Sequence, residues 1–179
     1  LSETLHAMNV TVVHALPAAL LAIVTGSVFG FVAARLSPPL RLPLRWAMGV
    51  FAAVPALLLA ILLIGLTERG YAAVAAGLAA APIAFVRAFD RAQMSGKSVH
   101  AEYARATGIA PAALLRRDLA YEVRDTLLST TARAFAAVTI ILATVSFLGF
   151  GAVPPHRDFG LMIAAAKPVY VQAWWTAAF

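Results

Sequence analysis

The chain has 179 residues, of which 62% are hydrophobic and 12% charged, against about 45–50% apolar and about 25% charged in soluble domains. That excess argues against a water-soluble globule and for a polytopic membrane protein. The net charge of +6 could serve a nucleic-acid partner, but the placement of the basic residues points elsewhere, and the absence of cysteine excludes a disulfide framework or a thiolate metal site.

The elements follow in chain order. Val10 to Ala34 is almost wholly apolar and long enough for a bilayer, which needs about 20 residues. Pro17 is a candidate kink, and Gly26 and Gly30 make a Gly-x-x-x-Gly face open to close approach by another helix. A linker with Pro38, Pro39, Arg35, Arg41 and Arg45 leads to a second span, Trp46 to about Leu66, interrupted at Pro55. Thr67-Glu68-Arg69-Gly70 reads as a tight polar turn. The alanine-rich third span, Tyr71 to about Val86, suits the inside of a bundle better than lipid. A long polar segment, about 87–126, precedes a fourth span at about Leu127–Phe150, with Arg133 in its first turns, where it can snorkel. Residues 151–167 read as a loop built on Pro154-Pro155, and a last span starts at Pro168. The chain opens on Leu1 without a signal-peptide pattern and stops at Phe179 within an apolar run, so it is expected to be part of a longer subunit.

Eleven of the fourteen Lys and Arg lie in the 35–45 linker and the 87–133 stretch, two spans apart and therefore on one side. Arg69, Arg157 and Lys167 lie on the other. Positive charge marks the cytoplasmic face, so the 87–126 segment is expected inside the cell and the 151–167 loop outside. This asymmetry accounts for the basic balance without nucleic acid.

Few motifs carry chemistry. Gly96-Lys97-Ser98 echoes the end of a phosphate-binding loop, but Arg91 stands where the first glycine belongs and no strand leads in. His6, His14, His100 and His156 show no ligand spacing. His156 and Asp158 read as parts of a solvated outer turn. No Ser-His-Asp set exists, and the spans hold almost no ionisable residue at depth, which argues against a proton- or sodium-coupled pathway. The mixed-charge stretch Glu102 to Arg117 reads as a short helix, a break at Gly108 and a second helix with Pro111 in its first turn. Its bland alternative is an amphipathic helix on the membrane surface.

Glu102, Ala104 and Gly108 resemble the Glu-x-Ala-x-x-x-Gly heart of the cytoplasmic loop in permease subunits of bacterial ABC importers. Ser146-Phe147-Leu148-Gly149-Phe150-Gly151, then Pro154-Pro155, Phe159-Gly160-Leu161-Met162 and Trp174, are similar to the motif succession of the dipeptide/oligopeptide/nickel permease family. The resemblance covers about Val10 to Phe179. It departs at Tyr103, where the family has alanine, at Ala120-Tyr121-Glu122, where it has Leu-Pro-Asn, and at Phe159, where it has Trp.

The resemblance implies an all-α type I ABC importer transmembrane domain with about five of six spans present, in the bacterial inner membrane. It implies no catalytic residue, no resident metal and no cofactor, because ATP and Mg would be bound by partner subunits. The partners implied are a second homologous permease, two ABC ATPases, a periplasmic or lipid-anchored solute-binding protein and membrane lipid. Glu102, Tyr103, Ala104, Arg105, Gly108, Arg116 and Arg117 are the residues expected to couple to the ATPase. Phe147, Gly149, Gly151, Pro154, Pro155 and Phe159 are the candidates for an outer gate or a binding-protein contact. The expected function is permeation of peptides or a related small solute. The alternatives are a nickel or metal-chelate importer permease and a non-transporting membrane scaffold.

Overall fold

The computed structural model describes residues 2–67, 71–95, 106–107, 131–152, 156–169 and 172, and every regular element among them is helical. Helix α1, Ser2–Ala34, has 33 residues, about 50 Å at ~1.5 Å per residue. It is already helical from Ser2, ahead of the apolar run at Val10, with Glu3 in its first described turn. Pro17 lies inside it.

Ser37 accepts from the amides of Leu40 and Arg41 at 3.0 and 2.9 Å and opens α2, Pro38–Ala53, whose first two residues are prolines that need no donor there. The break before α3, Ala56–Leu66, falls at Val54–Pro55, as the expected interruption at Pro55 requires. A proline drives its predecessor out of helical geometry, and the Pro55 carbonyl then accepts from Leu58 at 2.9 Å to start the next helix.

Helix α4, Ala72–Ser95, continues without a stop past Val86 into the segment expected to be polar linker. Arg87, Ala88, Arg91, Ala92 and Gln93 are strong helix formers, so nothing local ends the helix where the apolar run does. Helix α5, Thr131–Phe147, follows. Within the expected 151–167 loop stands an unforeseen helix, α6, Phe159–Ala166, followed by a 3₁₀ turn at Lys167–Val169. Two described helices, Ser2–Ala34 and Ala72–Met94, are long and apolar enough to cross a membrane.

The chain divides into two compact units. The first comprises residues 1–22, 54–80 and 134–179. Its core is built mainly of alanine (Ala15, Ala18, Ala19, Ala22, Ala60, Ala76) with Ile64, Val138, Leu142 and Val145. Such small side chains let backbones approach: a methyl group on Gly77 would lie 2.6 Å from the Ala18 carbonyl oxygen. That geometry suits a bundle in lipid, where helices gain little from hydrophobicity and associate through close packing.

The second unit comprises residues 23–53 and 81–133. Gly26 and Gly30 face α4 as the Gly-x-x-x-Gly spacing predicts; a Cβ on either would run into the α4 backbone, at Ala81 and at Phe85. Phe31, Phe85 and Phe89 fill the space beside them, with the last two rings stacked at 6.0 Å. Polar ties among the described residues also join elements of this unit. Arg45 grips Asp90 with both arms, Nε to Oδ1 at 2.8 Å and Nη2 to Oδ2 at 2.9 Å. Gln93 Nε2 donates to the Ala34 carbonyl at 2.6 Å, satisfying an end carbonyl of α1.

Large apolar side chains on α1 and α3 stay exposed, among them Phe29 at 65% and Leu62 at 59%. In water such stripes would be a liability; against acyl chains they cost nothing.

Candidate functional site

The seven residues expected to couple to the ATPase (Glu102, Tyr103, Ala104, Arg105, Gly108, Arg116 and Arg117) lie outside the described residues, as do Lys97, Pro154 and Pro155. The site that can be built is therefore the one at the C-terminal end of α5, within the first unit.

Its geometry begins with how α5 stops. Gly149 adopts φ of +86°, and the amides of Gly149 and Phe150 donate to the carbonyls of Ser146 and Val145 at 3.0 Å each. This is the paired C-cap that a left-handed glycine allows. The turn folds the chain back onto α5 so tightly that Gly151 sits against Ser146, where a Cβ would lie 2.7 Å from the Ser146 Cα. Gly160, in the first turn of α6, presses on the same helix one turn earlier, and its Cβ would meet the Ser146 Cβ at 2.8 Å.

Ser146 is the centre of this contact and is 2% exposed. Its hydroxyl donates to Asp158 Oδ2 and accepts from the Ala152 amide at 3.1 Å. Asp158, 7% exposed, uses Oδ1 to accept from the Leu161 amide at 2.8 Å and so caps α6. The carboxylate faces two donors and the positive end of a helix dipole, which compensates its removal from water. The solvated turn expected at His156 and Asp158 is thus corrected for Asp158, because Ser146 supplies a buried donor from a distant turn; His156 is exposed.

A third strand of the network comes from α1. Thr11, buried at 4%, donates to the Ala7 carbonyl at 2.8 Å and accepts from the Phe159 amide at 3.3 Å. Nearby, Arg157 and Glu3 approach to 3.8 Å on the surface. Phe147 turns its ring under the Lys167 ammonium, 4.2 Å from the ring centre, a cation–π contact.

Below this network is a cavity of about 320 Å³. Thr11, His14, Ser146, His156 and Asp158 give it a polar side, and Val10, Ala72, Ala73 and Leu142 an apolar one. His14 Nδ1 lies 2.7 Å from the Val10 carbonyl. Among the described residues no three His, Asp or Glu side chains are placed to hold a metal.

Of the six outer candidates, the structure brings Phe147, Gly149, Gly151 and Phe159 together around the end of α5. Ser146, Asp158 and Thr11 belong with them and were not singled out. One signal was available: an aspartate directly before Phe-Gly-Leu-Met-Ile-Ala-Ala-Ala is a helix start. No local pattern marks Thr11.

Residues 26–179 match the family described as binding-protein-dependent transport system inner membrane component. The chain is similar to a putative peptide transport system permease protein of Brucella suis biovar 1, 28% identical over 180 residues, which are 99% of this chain and 60% of the relative. A counterpart from Brucella abortus biovar 1 matches equally, at 28% over the same shares. The di/tripeptide transport system permease protein DppC of Pseudomonas aeruginosa is 26% identical over 181 residues, 98% of this chain and 58% of the relative. The chain thus spans about 60% of the length of the curated relatives it matches.

Proposed function

This chain belongs to the family of binding-protein-dependent transport system inner membrane components, and on that premise we propose that it is a permease subunit of a bacterial ABC importer that carries peptides. The family match over residues 26–179 carries the reading. The Brucella and Pseudomonas relatives, peptide and di/tripeptide transport system permeases by name, favour peptides over a nickel chelate as cargo. A scaffold without a pathway rests on the departures at Ala120-Tyr121-Glu122, which lie outside the described residues.

In this reading the chain supplies helices for half of a pathway and is not an enzyme. A second homologous permease supplies the other half, two ABC ATPases bind ATP and Mg, and a periplasmic or lipid-anchored protein delivers the solute. The segment with Glu102, Tyr103, Ala104, Arg105, Gly108, Arg116 and Arg117 docks on the ATPase at the cytoplasmic face. A ligand shifts a two-state protein only by binding the states unequally. ATP binding to the partner supplies that bias, and the segment around Gly108 passes it to the spans. The end of α5 with Phe147, Gly149, Gly151 and Phe159 stands on the outward side.

The test is isolation of the assembly containing this subunit and measurement of ATP-driven peptide uptake. An ATPase pair and a second permease should co-purify, and Gly108→Pro should leave insertion and assembly intact while uncoupling hydrolysis from uptake. An assembly without an ATPase would refute the function; normal uptake by Gly108→Pro would refute the coupling role.

A further inference from the structure

The polar contacts around the end of α5 differ in strength, and the difference marks where the outward end of the first unit can part. On one side, α5, the turn after it and the start of α6 are locked together. The buried Ser146–Asp158 hydrogen bond, the amides of Ala152 and Leu161, and two glycines with no space for a methyl group leave this wall no freedom to come apart piecemeal.

On the other side stands α1, and the polar ties to this wall seen among the described residues include two weak ones. One is the Phe159 amide to Thr11 Oγ1 at 3.3 Å, beyond the usual range for N–H···O. The other is the Arg157–Glu3 pair at 3.8 Å, with side chains 57% and 75% exposed, where solvent and salt leave little attraction. The cavity lies along this seam: Thr11 and His14 line it from α1, Gly151 and Asp158 from the locked wall, and Ala73 from the start of α4.

We propose that the Thr11–Phe159 contact is the latch of an outward gate, at which α1 separates from the rigid wall formed by α5, its following turn and α6, opening the cavity to water. Of the polar contacts here the weakest buried one opens first, and parting at this seam leaves the satisfied Ser146–Asp158 network whole. Reading the seam as a gate rests on the transport function proposed above, so the experiment measures the seam without measuring transport.

The chain contains no cysteine, so Ala73→Cys gives it a single reporter in the cavity wall. The reporter is labelled in the membrane-embedded assembly with a small water-soluble thiol reagent, any native thiols in the other subunits having been replaced. Thr11→Val keeps the shape and removes the latch oxygen. It should raise the labelling rate about three- to tenfold, the range expected for one net hydrogen bond. Thr11→Ser, which keeps the hydroxyl, should label at the rate of the unaltered latch, separating the bond from the packing. Glu3→Gln should change the rate less than Thr11→Val does. An unchanged rate in Thr11→Val, or a rate in Thr11→Ser as high as in Thr11→Val, would overturn the latch. That failure leaves co-purification with an ATPase untouched, and a missing ATPase would leave the labelling result untouched, so the two readings fail separately.

Discussion

Ser146 and Asp158 form a buried polar contact in the first unit, and each also satisfies a backbone amide, at Ala152 and Leu161. Removing either side chain therefore strands a buried group as well as breaking a bond. Ser146→Ala and Asp158→Ala should each lower stability by about 1–3 kcal/mol. The double variant should lose less than the sum of the two, because partners in one network are not independent. Thermal unfolding of the detergent-solubilised protein reads this directly, and strictly additive losses would contradict the pairing. Neither residue's burial was legible in the sequence. Asp158 follows a Pro-Pro turn and looks solvated, and only the return of the chain onto α5 brings it under Ser146. Gly149 and Gly151 stand out in the motif, and the structure supplies the reasons: a left-handed C-cap for one, a backbone pressed on Ser146 for the other.

Among the helices, the contact of α1 with α4 in the second unit depends on what its glycines lack. A side chain at Gly26 would strike the Ala81 carbonyl and the Ala84 methyl, whereas Gly65 of α3 has nothing within 4 Å of where a Cβ would be. Gly26→Leu should destabilise the protein by about 1–3 kcal/mol through overpacking, and Gly65→Leu, on an open surface, should be close to neutral. Unfolding midpoints of the two variants in the same detergent make the comparison; equal effects would show that the glycine face is not a packing surface. The Gly26–Gly30 spacing and the break at Pro55 were legible because both act through local geometry. The continuation of α4 to Ser95 and the existence of α6 were not, because the end of an apolar run marks where lipid stops, not where a helix stops.

For the molecule as a whole, the distribution of Lys and Arg argues for one orientation. With positive charge favouring the cytoplasmic face, the basic linker at 35–45 and the 87–133 stretch are expected on the inner face. In the second unit the Arg45–Asp90 pair and the Gln93–Ala34 bond join elements on that side. Lys97→Cys should react with a membrane-impermeant thiol reagent only after the cells are opened. Labelling of intact cells would reverse the orientation and, with it, the sidedness of both the coupling segment and the gate.

Composition was enough to indicate a helical membrane protein, since transfer of apolar runs into lipid depends on the side chains alone. The glycine spacing in α1 also pointed to a close contact. Which groups such contacts join was settled by folding: Thr11 meets Phe159, and Ser146 meets Asp158, across distances in the chain that no local pattern spans. A buried hydrogen bond needs both partners in place at once, and a sequence shows each partner without its position.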